Sequence, residues 1–185
     1  MKKIIITIIS CVAAAAVIVC CSLYFSGVIS FSATEDGGVS TTPTAYVEYM
    51  DMYLILNEDG VIIKSTMSVP EDDIPQITGL TMGNIITGET LEVSSTSAFD
   101  YALRVARQLK SNYILGVDEI YVSEDEEITI YAKEIKILLG SDEDTGTKIG
   151  DLKDFYYTVV ELEGTLDMQE VSASNIGYTF KVSSE

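Results

Sequence analysis

A long stretch without charge near the start of the chain constrains its architecture most. No acidic or basic residue occurs in Ile4–Thr34, and residues 4–25 are almost wholly apolar. A helix of about 20 apolar residues spans the hydrocarbon core of a bilayer. Lys2 and Lys3 precede the stretch, so the positive-inside rule predicts that residues 1–3 are cytoplasmic. The sequence therefore predicts a single transmembrane anchor with everything after it outside the cytoplasm.

Two other interpretations of this stretch involve processing at the membrane. A cleaved signal peptide has an apolar region of about 7–15 residues followed by a small-x-small site. Ser30-Phe31-Ser32 fits that site weakly, but the apolar run is too long, and cleavage stays open as the alternative. A lipoprotein cysteine needs a small residue before it, whereas Val19 precedes Cys20.

Cysteine use and charge describe the part that follows the anchor. Cys11, Cys20 and Cys21 all lie in the apolar run, so no disulfide links the rest of the chain. Beyond residue 34 there are 29 acidic and nine basic residues, a formal charge of −20. Such a surface repels nucleic acid and anionic lipid, so no nucleic-acid partner is expected.

The remaining sequence divides into a spacer and one domain. Residues 26–44 are rich in Gly, Ser and Thr and are predicted to form a flexible spacer. Residues 45–185 are predicted to form the extracytoplasmic domain. Its predicted strands are short: residues 46–49, Met52–Leu56, Val61–Ile63, Asp118–Ser123, Ile128–Ala132, Ile135–Leu139, Thr165–Gln169 and Ile176–Val182. Residues 68–92, which include Pro70 and Pro75, are predicted to form an irregular crossover connection.

Two helices interrupt the strands. The first is predicted to be capped within residues 94–97, with Asp100 in capping-box position after Ser97, and to stop at Asn112. The second is predicted over Lys148–Leu162, with Gly164 ending it. Strands joined by hairpins and interrupted by two helices predict an α+β fold: after a single N-terminal transmembrane helix, a mainly antiparallel sheet with helices packed on one face.

Catalytic and cofactor motifs are missing from the sequence beyond the anchor. It has no His, Cys or Trp, which excludes Ser–His–Asp and Cys–His arrangements and the usual zinc sets. Asp142–Gly146 looks faintly like a calcium loop, but its spacing fails. No phosphate-binding glycine motif is present. The sequence predicts no enzyme activity, no cofactor, no metal site and no small-molecule substrate.

Several short motifs, in order, resemble the bacterial division proteins of the FtsQ/DivIB family. LNEDG at Leu56–Gly60 is similar to the family's "ID-x-x-G" hairpin, and IPQITGL at Ile74–Leu80 is similar to its "LP-x-I-x-G" segment. A helix led by Ala98-Phe99 follows, and Leu166–Gln169 with Gly177-Tyr178 resembles the closing β-hairpin. The resemblance covers residues 45–182, most of the part beyond the anchor.

The resemblance implies a function and also shows a departure. The family usually carries a POTRA domain of about 70 residues between the span and this sheet, and most of it is missing here. The remaining β-domain is expected to bind small coiled-coil membrane proteins of the FtsB/DivIC and FtsL types. The chain would then be a scaffold of the division complex in the cell membrane, at the septum.

The closing strand carries the expected binding residues. An extended partner can add a strand to an open sheet edge. The resemblance places the contact in the region of Asp167–Tyr178 and just beyond it. The expected partner-binding residues are Glu170, Ser172, Gly177, Tyr178 and Phe180. An alternative from the residues alone is that Tyr178 and Phe180 simply face the core.

Another class of function stays open on the sequence. An anchored acidic sensor or adaptor domain without a division role would have the same charge, anchor and lack of catalytic motifs. An exported hydrolase is disfavoured because no nucleophile–base pair is apparent.

Membrane attachment is directly testable. We expect carbonate washing to leave the full chain in the membrane, because residues 4–25 are long and apolar enough to span it. Protease added to intact, wall-stripped cells should digest the domain. A soluble product trimmed at its N-terminus would show that the segment is a cleaved signal peptide instead.

Overall fold

A computed structural model describes residues 40–71, 73–169 and 177–183 of the chain. These residues form strands β1 to β9 and helices α1 and α2. The strands are Ala45–Tyr49, Met52–Leu56, Ile62–Thr66, Gln76–Thr78, Glu119–Val122, Ile128–Ala132, Ile135–Gly140, Gly164–Asp167 and Thr179–Val182. Helix α1, Thr96–Ser111, lies between β4 and β5, and helix α2, Thr145–Val159, lies between β7 and β8.

All of these strands join one sheet in the order β3-β2-β1-β4-β5-β6-β7-β8-β9. Five neighbouring pairs are antiparallel, and β1–β4, β4–β5 and β7–β8 are parallel. The α+β class and the mainly antiparallel sheet are confirmed. The predicted anchor lies outside the described residues, and none of the helices within them has the length and apolar character to cross a bilayer.

Turn chemistry explains how the first three strands pair. Met50 and Asp51 join β1 to β2 with φ values of 47° and 63°, the left-handed pair of a tight hairpin turn whose twist suits the strands. The Asn57 side chain shapes the next turn, since its Oδ1 accepts the N–H groups of Asp59 at 2.9 Å and Val61 at 2.8 Å. Both turns lie between the predicted strands, at residues 50–51 and 57–60.

The cap of α1 differs from the predicted capping box. Ser95 is the N-cap, and its hydroxyl accepts the Ala98 N–H at 3.3 Å. The Ser95 hydroxyl also donates to Glu126 at 2.6 Å, so a carboxylate from the β5–β6 turn supports the same helix end. Asn112 is the C-cap, as predicted. Ser97 is already inside the helix, and Asp100 therefore does not complete a box.

Alternate strand residues meet both helices in a single apolar layer. From β6, Ile128, Ile130 and Ala132 are buried, and the residues between them are only partly covered. The same alternation runs through β7. The side of α1 that faces the sheet is buried through Ala98, Phe99, Tyr101, Ala102, Leu103, Val105, Ala106 and Leu109. The helices thus cover one face of the sheet, as predicted.

Three sequence predictions about elements are corrected by the structure. The crossover contains β4, which a three-residue pattern could not indicate and which forms by parallel pairing on both sides. Helix α2 begins at Thr145, three residues before the predicted start, and ends at Val159. Gly164 is the first residue of β8 rather than a helix terminator.

Two buried polar side chains tie the helices to β7. The hydroxyl of Tyr101 donates to the carbonyls of Gly140 at 3.0 Å and Ser141 at 2.9 Å. The Lys148 ammonium donates to the Leu139 carbonyl at 2.8 Å. Burial lowers the pKa of Lys148 and raises the pKa of Tyr101 from 10.0 to about 12. Both contacts fix the helices at the end of β7.

Removing the Tyr101 hydroxyl should have a pH-dependent cost. Tyr101→Phe should lower the free energy of unfolding by about 1–2 kcal/mol near neutral pH, because the buried Gly140 carbonyl loses its donor and the Ser141 carbonyl loses a contact. Above pH 10.0 the unfolded state ionises first, since the folded pKa is about 12. The wild-type protein therefore loses stability as the pH rises from 10.0 to about 12. The difference in unfolding free energy between the wild type and Tyr101→Phe should shrink over this range.

Urea unfolding at neutral and alkaline pH measures this effect. Tyr121→Phe, which changes an exposed tyrosine, serves as the matched control and should change little at either pH. An equal cost for Tyr101→Phe at all pH values would contradict the ionisation argument.

Candidate partner-binding edge

Strand β9 forms one end of the sheet. Within the described residues it pairs only with β8, in antiparallel register with Leu166 opposite Phe180 and Thr165 opposite Lys181. The predicted closing strand is therefore present over Thr179–Val182, and it is an edge strand. An edge strand presents unpaired backbone groups that another chain can use.

The outward backbone groups of β9 follow from its register. The Ser183 N–H donates to the Glu163 carbonyl at 3.2 Å, so Ser183 faces β8. In an antiparallel pair the residues alternate between facing the partner and facing away from it. Lys181 and Thr179 therefore face β8, whereas the N–H and C=O groups of Val182 and Phe180 point away from the sheet.

Side chains hold Tyr178 in a defined orientation just before β9. Its ring lies 5.7 Å from the Phe155 ring between centroids, and its hydroxyl donates to the Asp151 carboxylate. Burial, followed by the contact with Asp151, raises the pKa of Tyr178 above its ordinary value. The hydroxyl therefore stays protonated and continues to donate at physiological pH.

The predicted binding residues fall into three groups. Phe180 and Tyr178 are half-buried and pack against the edge of the core, so part of each side chain remains accessible to solvent. Gly177 is exposed. Glu170 and Ser172 lie outside the described residues. The structure brings Tyr178 and Phe180 to the same edge, and their role in binding stays a prediction.

The supporting residues on α2 were missed by sequence reasoning. Asp151 and Phe155 are separated by four positions and lie on one side of the helix. The sequence shows that Asp151 and Phe155 share a side of the helix. It does not show that they contact Tyr178, which lies 27 residues after Asp151.

The opposite edge of the sheet is partly covered by the chain itself. The Ile62 N–H donates to the Glu89 carbonyl at 3.0 Å, and the Gly88 N–H donates to the Ile62 carbonyl at 2.8 Å. A loop thus pairs with the first residue of β3 and leaves only the later part of that strand open. Among the described residues, β9 is therefore the more open of the two sheet edges.

Gly164 allows β9 to lie close to β8. A methyl group at this position would lie 2.9 Å from the Phe180 ring and closer still to the Lys181 carbonyl oxygen. Glycine, which has no side chain, avoids both of these close contacts. The position of the edge strand therefore depends on glycine at the start of β8.

In the part of the chain that the structure describes, no group of three or more His, Cys, Asp or Glu side chains is arranged to hold a metal ion.

Comparison with known families decides what kind of domain this is. The family model for the C-terminal part of the cell division protein FtsQ/DivIB matches residues 45–171. The chain belongs to the FtsQ/DivIB family. The sequence resemblance is confirmed over that range, and the family gives the chain a role in cell division. Members of the family are non-enzymatic division proteins, which supports the assignment as a non-enzyme.

Two other comparisons add context. The major extracytoplasmic domain of the trans isomer of the cell-division protein DivIB from Geobacillus stearothermophilus matches with 15% identity and a TM-score of 0.44. The match covers 66% of this chain and 96% of that one. A search of curated protein sequences finds no match.

A methyl group at Gly164 should loosen the edge strand. Gly164→Ala should lower the free energy of unfolding by about 1–3 kcal/mol, because β9 must shift to relieve the contact with Phe180 and Lys181. Amide exchange at Ser183, whose N–H bonds to Glu163, should become faster.

Gly150→Ala provides the matched control in α2, where an added methyl meets nothing within 4 Å. It should stabilise the domain by about 0.5–1 kcal/mol through helix propensity. Unchanged stability and unchanged exchange at Ser183 in the Gly164→Ala variant would refute the role assigned to this glycine.

Proposed function

We propose that the chain is a membrane-anchored scaffold of the bacterial division complex, which binds FtsB/DivIC-like and FtsL-like partners at the septum. The binding surface is the β9 edge of the extracytoplasmic domain. The family supports the role in division. The anchor, the septal location and the identity of the partners rest on the sequence and on the resemblance.

The observation that carries this proposal is the open backbone of β9. Val182 and Phe180 direct their N–H and C=O groups away from β8, with no strand paired to them among the described residues. An extended segment of a partner can continue the sheet there. Main-chain hydrogen bonds supply the affinity, and pockets for alternate side chains supply the specificity.

Tyr178 and Phe180 add an aromatic part to this surface. Aromatic residues often dominate the energy of an interface, above all when they are held in place before binding. The Tyr178 ring is already fixed by Phe155 and by the hydrogen bond to Asp151. A partner side chain that packs beside it would therefore not have to order it first.

The proposal requires no chemistry from the domain itself. A scaffold acts by holding other proteins close together, and the described part of the edge offers backbone groups, two half-buried rings and the exposed side chains of β9. An acidic sensor or adaptor domain is the alternative function. It would keep the open edge without binding division proteins, and a fluorescent fusion would then not concentrate at the septum.

An edge proline should separate partner binding from folding. Val182→Pro removes an N–H that points away from β8 and a side chain that is 72% exposed. Proline is tolerated on edge strands with this orientation. The melting temperature should change little, whereas affinity for the extracytoplasmic segment of the FtsB/DivIC-like protein of the same cell should fall about tenfold or more.

Lys181→Pro is the contrasting control. Its N–H faces β8, so proline there should destabilise the pairing of β8 with β9 as well as the binding surface. Titration calorimetry on the full chain in detergent measures affinity, and thermal unfolding measures stability. A stable Val182→Pro protein that binds the FtsB/DivIC-like and FtsL-like proteins normally would eliminate strand addition at β9.

A further inference from the structure

The outer side of α1 concentrates positive charge in an acidic domain. Arg104, Arg107 and Lys110 recur every three residues, so they lie along one side of the helix. They are three of the nine basic residues beyond residue 34, where 29 residues are acidic. Both arginines of the chain are among them. Neither the family nor the proposed β9 edge accounts for this row.

Each of the three cations is positioned by one contact. Arg104 pairs with Asp142 at 2.8 Å, Arg107 donates to the Glu58 carbonyl at 3.1 Å, and Lys110 donates to the Pro43 carbonyl at 2.8 Å. A guanidinium carries several N–H donors in a planar fork, so these contacts orient both arginines and leave further donors for a ligand.

The row lines a cavity of about 420 Å³, here called the α1 groove. Hydroxyl side chains of Ser40, Thr42 and Ser111 line it as well, and Glu58 is the one acidic residue of its lining. A second cavity beside both Arg104 and Arg107 is lined by the acidic residues Glu58, Asp59 and Asp100. The positive potential of the α1 groove is therefore strongest towards Lys110, which does not line the acidic cavity.

We propose that the α1 groove binds an acidic peptide segment of another protein. Arg104 and Lys110 are six residues apart on a helix, which corresponds to roughly 9 Å. Carboxylates on one side of an extended peptide recur about every 7 Å, so two of them match the row of cations. Arginine forks bind carboxylates in a bidentate way, which adds geometric selectivity to the charge attraction.

Charge complementarity also favours a peptide over a lipid surface. An anionic bilayer would face the whole acidic domain, with its formal charge of −20 beyond residue 34, and would be repelled. A narrow peptide contacts only the groove, where basic residues outnumber the single acid. The groove adjoins Thr44, just before β1, and five strands separate β1 from β9 in the sheet. The two surfaces can therefore be tested separately.

The experiment uses the full chain in non-ionic detergent and a short capped peptide of alternating glutamate and aspartate. The peptide should bind with an affinity that falls on adding salt. Arg107→Gln should weaken binding about tenfold, the usual size for a lost charge-assisted hydrogen bond. Lys153→Gln, which removes the same charge from an exposed position of α2, should leave binding unchanged. Val182→Pro should also leave it unchanged.

Several outcomes would overturn the proposal. Equal losses from Arg107→Gln and Lys153→Gln would mean that only net charge attracts the peptide. A control peptide of the same length with alternating glutamine and asparagine should not bind, and equal binding of it would show that carboxylates are not recognised. Tighter binding of inorganic phosphate or of anionic vesicles would show that the groove prefers a phosphate. Peptide binding that occurs only after Glu35→Gln and Asp36→Gln would assign the groove to the chain's own acidic residues.

Discussion

Apolar contact between one face of the sheet and its two helices is the interaction on which the rest of the structure depends. Ile120, Ile130 and Ile137 come from three neighbouring strands, and all of them are fully buried. Ala102 of α1 is fully buried as well, and its small side chain lets the helix lie close to the sheet. Each large apolar side chain buried in this way contributes about 1.5–3 kcal/mol. Because no cysteine follows residue 21, this layer acts without disulfides.

The helices cover one face of the sheet but do not pair with its two edge strands, β3 and β9. A loop pairs with the start of β3 through Ile62, while β9 keeps its outward backbone groups unpaired within the described residues. Open edges promote unwanted association, and charged residues commonly limit it. The net charge of −18 has that effect on the whole chain. The net charge therefore limits non-specific association at the open edge, which is compatible with the strand addition proposed for β9.

The two proposed surfaces use different physical chemistry. Strand addition at β9 depends on backbone hydrogen bonds and on the rings of Tyr178 and Phe180, so it should respond weakly to salt. The α1 groove depends on Arg104, Arg107 and Lys110 in a domain that is otherwise acidic, so screening should weaken it. The two proposed surfaces lie at different places in the domain, so their binding activities can be tested independently.

Local pattern by itself determined much of this protein. The apolar periodicity of α1, the turn at Met50-Asp51 and the alternation in β6 and β7 each lie within a few residues, so their positions could be predicted. Tertiary structure alone decided β4, because its three residues form a strand only between β1 and β5. Tertiary structure also determined the orientation of Tyr178, because its side chain contacts Asp151 and Phe155, which lie more than 20 residues earlier in the chain. Sequence periodicity reports which face of an element is apolar, whereas contacts between distant residues form only when the whole sheet is assembled.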